Sequence, residues 1–194
     1  MSKHVSRFGF ILSFTTVAGS GLAQLSPDLQ RLLETADRQV VRLSPTAFPE
    51  LPKNLIAELQ RRGCSIPQVP MIKGRQNVIR GEFARPGQTD WAVLCSVGRS
   101  SSILIFWNAS EVNPGRIAET KDIDRLQSEE DEKMVYSRAI APVGKTYITQ
   151  HYKAYGGAPP PPIDHQGIND AFVGKASVVN YLYRGKWLRL AGAD

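Results

Sequence analysis

Two histidines, His151 and His165, flank a proline-rich stretch, with Tyr152, Asp164 and Asp170 close by in the chain. An imidazole beside a carboxylate can move protons, so His151 or His165 with Asp164 or Asp170 is the set an exported hydrolase would use. A nucleophile for that set is not evident. Ser100, Ser101 and Ser102 form a polar turn without the G-x-S-x-G frame that exposes a serine at the end of a strand. His151, His165 and Asp164 carry zinc-ligating atoms too, but no H-x-x-x-H spacing holds two of them on one helical face. Gly174-Lys175-Ala176-Ser177 does not make a phosphate loop. Six residues separate Gly167 from Gly174, Ala176 intervenes before Ser177, and a strand follows where the motif needs a helix.

A run of twelve residues, Glu82-Phe83-Ala84-Arg85-Pro86-Gly87-Gln88-Thr89-Asp90-Trp91-Ala92-Val93, resembles the FG-GAP/VCBS-type repeat of integrin-like propellers. In that family a loop reading D-F-N-G-D-G-x-x-D leads into a strand reading L-A-V. Phe83, Gly87, Asp90 and Ala92-Val93 stand where the family has them. The resemblance implies calcium ligands at loop positions one, three, five and nine, which here are Glu82, Ala84, Pro86 and Asp90. Ala84 and Pro86 offer no side-chain oxygen to an ion that takes about six to eight, so the turn is expected without the ion. A second stretch, Asp164-His165-Gln166-Gly167-Ile168-Asn169-Asp170, is similar to the D-x-D-G-x-x-D core of the same loop. It retains more oxygens, and Asp164, Gln166 and Asp170 are its calcium candidates. The competing reading is an Asx-type turn that launches the last hairpin. A propeller needs several four-stranded blades, and no such repeat is present, so the likeness concerns a strand-loop-strand unit alone.

Aromatic and basic residues suggest contact rather than catalysis. Tyr152, Tyr155 and Trp187 lie beside the proline-rich stretch, and Arg184, Lys186 and Arg189 follow near the C-terminus. That mixture is the composition of a recognition patch, although a basic strand edge that resists aggregation has the same composition.

The elements that must position these residues follow from the hydrophobic periods. Ser26-Pro27-Asp28 reads as a helix start, followed by Leu29, Leu32, Leu33 and Ala36 on one face. A second helix is expected over 52–62, with Leu55, Ile56 and Leu59 inward and Gly63 closing it. From residue 76 the period becomes two. Trp91, Val93, Cys95 and Val97 share one strand face and Ala92 and Leu94 the other, so this strand is apolar on both sides and needs cover on both. Further strands are expected at 102–107, 134–140 and 145–152, then a closing hairpin over 172–183 and 186–190 around Arg184-Gly185. Pro159, Pro160, Pro161 and Pro162 enforce a stiff, extended excursion. The expectation is one α+β domain: an antiparallel sheet of six to eight strands with the two N-terminal helices packed against it.

The first 23 residues set the compartment. Lys3, His4 and Arg7 precede an apolar run over 8–18, and Gly21-Leu22-Ala23 offers a small-residue cleavage site, the order of a cleaved secretory leader. The run is too short for a bilayer span of about 20 residues. The expected mature chain is residues 24–194, periplasmic or secreted, with no membrane span. The leader contains two of the cations and no acid, so its loss lowers the formal charge from +6 to +4. Scattered Lys and Arg without a basic stripe argue against a nucleic-acid partner. Cys64 and Cys95 are expected to pair in an oxidising compartment, the alternative being two buried thiols. The expected function is a non-enzymatic binding domain contacting a protein or envelope polymer without a cofactor, calcium being the one ion its loops suggest.

Overall fold

The computed structural model describes residues 26–129 and 133–192; the leader expected at 1–23 lies outside them. Ser26 opens α1 (Pro27–Gln39), its hydroxyl accepting the Leu29 N–H at 3.3 Å, with Pro27 in the first turn. A short strand β1 (Arg42–Leu43) follows, then α2 (Lys53–Arg61), which Gly63 closes at φ +70. β2 (Ile66–Pro67) pairs back onto β1. β3 (Val78–Gly81), β4 (Asp90–Val97), β5 (Ser100–Phe106) and β6 (Gly115–Lys121) form an antiparallel meander. β7 (Leu126–Ser128) and β8 (Met134–Tyr136) make a two-stranded ribbon. The chain then runs through β9 (Arg138–Val143), α3 (Lys145–Tyr155), β10 (Gly167–Phe172), β11 (Ala176–Tyr183) and β12 (Lys186–Ala191). These last four strands form a second sheet in the order β12-β11-β10-β9.

The mixed α+β class is as expected, but the single sheet of six to eight strands is not what forms. Twelve strands are divided among four antiparallel sheets of the described residues. The reason lies in the two apolar faces of β4. Trp91, Val93 and Cys95 pack with Leu55 and Leu59 of α2 and with Phe48. Ala92 and Leu94 pack with Ile103 and Ile105 of β5 and with Tyr136, Ile140 and Ile168 from the second half of the chain. α2 covers one face of the meander, and the second sheet covers the other. α3 in turn closes the far side of the second sheet, where Ile148 meets Val179, Tyr181 and Leu190.

Of the two N-terminal helices, α2 packs on a face of the meander, while Ala36 of α1 joins the core between the two larger sheets. α1 lies against the β7–β8 ribbon and is tied down by charge. Buried Asp37 receives Arg42 at 2.6 Å and Arg99 at 3.2 Å, and Arg42 also reaches Asp122 at 2.8 Å. Cys64 and Cys95 are bridged, with Cα atoms 5.1 Å apart, fastening the exit of α2 to the middle of β4.

The strand expected at 145–152 is a helix. Thr146, Ile148 and Thr149 favour extended backbone locally, yet as part of the helix Ile148 is buried in a core cluster with Val179, Tyr181 and Leu190. Tertiary packing overrides the local preference. The stretch expected as a single strand from 172 to 183 is split by a turn at Val173, Gly174 and Lys175, so β10 and β11 form their own hairpin. The last hairpin turns where expected, with Arg184 at φ 50 and Gly185 at φ 75, a pair of left-handed residues that suits the twist of β11 and β12.

Candidate functional site

The two loops that resemble calcium loops are bonded to each other. The Gln166 N–H donates to the Glu82 carbonyl at 2.9 Å, and the Glu82 N–H donates to Gln166 Oε1 at 2.9 Å. The approach is close enough that a Cβ on Gly81 would fall 2.7 Å from Gln166 Oε1, so this position takes only glycine without displacement. In the first loop, the buried Asp90 carboxylate accepts the N–H groups of Phe83 and Ala84 at 2.9 Å, the Asn108 N–H at 2.8 Å and the Gln88 amide at 2.7 Å. The loop wraps its donors around an anion. That is the reverse of the oxygen-lined cradle a cation needs.

The three calcium candidates of the second loop face different partners. Asp164 Oδ1 accepts the Tyr181 hydroxyl at 3.1 Å, Gln166 Oε1 is held by Glu82, and both Asp170 oxygens are taken by Arg138 at 2.8 Å. An ion bridging them would have to displace a buried guanidinium. Among the described residues no three His, Cys, Asp or Glu side chains gather as a metal site.

The acid–base set is likewise dispersed. His165 is buried and stacked on Tyr181 with ring centroids 4.3 Å apart, and its Nδ1 and Nε2 lie 3.0 and 2.9 Å from the carbonyl oxygens of Gln166 and Leu182. Asp164 Oδ1 is 3.8 Å from His165 Nε2. His151 is on α3 with Nδ1 3.0 Å from the Tyr147 carbonyl, and among the described residues no hydrogen bond or ion pair joins it to His165 or Asp170. His165 acts as a strut: with Tyr181, whose hydroxyl is pushed up from its ordinary pKa chiefly by burial, it fixes the far end of the proline excursion to β11.

The aromatic and basic residues are divided by the second sheet. Trp187 pairs with Leu182 and points toward the first sheet, where it stacks on Trp107 at 6.1 Å. Lys186 pairs with Tyr183 on the opposite face, the one α3 covers, and Arg184 lies 5.2 Å over the Tyr183 ring. Tyr152 and Tyr155 are on α3. Trp187 therefore does not join them in one patch. What α3 does present is a row at helical spacing: Tyr147 stacks on His151 at 3.9 Å, and His151 on Tyr155 at 5.8 Å. Tyr155 ends the row 49% exposed, immediately before Gly156-Gly157 and the prolines. Both ends of this unit are anchored, through Ile148 on α3 and through Ile163 after the prolines, in one core cluster.

Residue spacing does not single out Arg138 or Asn180, two of the polar groups buried between the sheets. Their signal is a polar residue at an inward position of an alternating strand. Tyr136, buried between the sheets, has its hydroxyl pushed up by burial and by the nearby Asp122 charge. Compared with protein-family models, with curated proteins and with solved structures, the chain matches none.

Proposed function

We propose that the protein is an exported, non-enzymatic binding domain that contacts a protein or an envelope polymer through the surface built by α3 and the proline excursion. The observation that carries this reading is the stacked Tyr147–His151–Tyr155 row, which ends in an exposed tyrosine beside four consecutive prolines. Stacked rings on a helix and prolines in extended backbone have little conformational freedom to lose, so association there costs less ordering entropy than at a flexible loop. Lys145 and Lys153, exposed on the same helix, add positive charge suited to an acidic partner.

Export rests on the leader sequence and accords with the Cys64–Cys95 bridge. No described helix is long and apolar enough to cross a membrane. The likeness to integrin-type repeats extends, on this reading, to the turn geometry of two cross-braced loops, and no cofactor is needed.

A Tyr155→Ala/Lys153→Ala variant tests the reading. Recovery of a partner from envelope extract, in separate protein and polysaccharide fractions, should fall by about tenfold or more against the wild type. The melting temperature should not change, because both side chains are exposed. Equal recovery in both fractions would refute the surface.

A further inference from the structure

The two four-stranded sheets do not close fully upon each other. At one end a cleft of about 200 Å³ remains between β6 and the inward face of the second sheet. We propose that this cleft is a binding site for a small organic carboxylate, independent of the α3 surface.

Charge selects the sign of the ligand. Four ionisable side chains line the cleft: Glu119, Arg125, Asp170 and Arg189. Asp170 is neutralised by the two-pronged Arg138 pair at 2.8 Å, and Glu119 is paired with Arg116 at 3.2 Å. Neither Arg125 nor Arg189 has an ion-pair partner among the described residues. Arg125 instead has its guanidinium 5.9 Å from the centroid of the Phe172 ring, and the Lys175 ammonium lies 4.9 Å from the same centroid. Counted over the described residues, the lining as a whole carries uncompensated positive charge.

Asn180 supplies the second observation. It is 4% exposed, its amide nitrogen has no hydrogen-bond partner, and it lines the cleft. A buried donor left unmade is unfavourable, and native interiors seldom tolerate one. In the antiparallel register Asn180 lies directly opposite Arg189, so both side chains stand on the same sheet face about 5 Å apart at their Cβ atoms. An amide donor and a guanidinium side by side match the two oxygens of a planar carboxylate. Val178, Ala118, Ala176 and Phe172 add apolar wall beside Ser177, room for the short hydrocarbon body of an organic carboxylate as well as for its charged head.

The side-chain amide of Asn180 is itself the reporter. Isotope-edited NMR of the protein is recorded while benzoate, benzamide or inorganic phosphate is added. Benzoate should move the Asn180 side-chain amide and the Val178 and Arg189 backbone signals saturably. Benzamide, the neutral isostere, should leave them in place, and phosphate should bind more weakly than benzoate. Arg189→Met, at an exposed position that does not support the core, should weaken benzoate about tenfold, and Arg125→Met should weaken it independently. Equal response to benzamide, tighter binding of phosphate, shifts spread away from the cleft, or benzoate binding unchanged in Arg189→Met would each overturn the proposal. So would the absence of any benzoate response.

Discussion

Arg138 uses all five of its N–H donors without any exposure to solvent. Nε and Nη2 donate to the Asp170 carboxylate at 2.8 Å each, Nη1 donates to the carbonyl and hydroxyl of Ser101 at 3.2 and 3.0 Å, and Nη2 also donates to the Ala118 carbonyl at 2.6 Å. One guanidinium on the second sheet therefore holds β5 and β6 of the first. Arg138→Met leaves a carboxylate buried without its partner and should lose about 3–5 kcal/mol in urea unfolding. Replacing both partners, Arg138→Met with Asp170→Leu, removes the stranded charge and should recover most of that loss. A double variant as unstable as the sum of the two single ones would mean that the side chains act separately. In the sequence Asp170 reads as a calcium ligand or a catalytic acid, because its loop is what lies next to it. Its actual partner is 32 residues earlier, a distance over which spacing conveys nothing about pairing.

Helix α2 has a buried face that the sequence states and a charge cluster that it does not. Leu55 and Leu59 are buried as their period requires, and Arg61 and Arg62 sit at the negative end of the helix dipole. The same two arginines also grip Glu58, at 2.7 and 2.6 Å. Hydrogen bonds from Arg61 and then Arg62 lower the Glu58 carboxyl from 4.5 to about 2. A carboxyl lowered on folding adds stability that is complete above its unfolded pKa and is lost as acid protonates it. The melting temperature should therefore fall as pH drops from 4.5 toward 2, and Glu58→Gln should flatten that part of the profile relative to the wild type. An unchanged slope in the variant would assign the acid sensitivity to other groups. Helix α3 illustrates the opposite case. Its β-branched residues favour a strand, and its helical stripe of Tyr147, Ile148, His151, Tyr152 and Tyr155 acquires meaning only once the second sheet exists to receive Ile148.

For the molecule as a whole, the Cys64–Cys95 bridge joins the helical layer to the central sheet across 31 positions of sequence. Removing it as Cys64→Ser/Cys95→Ser should lower stability by about 3–4 kcal/mol in denaturant unfolding, through the greater freedom of the unfolded chain. The fold should survive, since Leu55 and Leu59 remain packed on Trp91 and Val93. A loss below about 1 kcal/mol would mean that the unfolded chain keeps this loop closed without the bond. What could be read from the sequence is local or periodic: the Ser26 cap, the stripe of α2, the two apolar faces of β4, the Arg184-Gly185 turn and the cysteine pair. Caps and turns depend on neighbouring residues, and strand faces follow from alternation, so a linear chain states them directly. The division into two sheets, the separation of Trp187 from Tyr155, the Arg138–Asp170 clasp and the cleft at Asn180 could not be read in that way. Each depends on which apolar face covers which other face. That choice is settled by packing among residues far apart in the chain, where sequence order carries no distance.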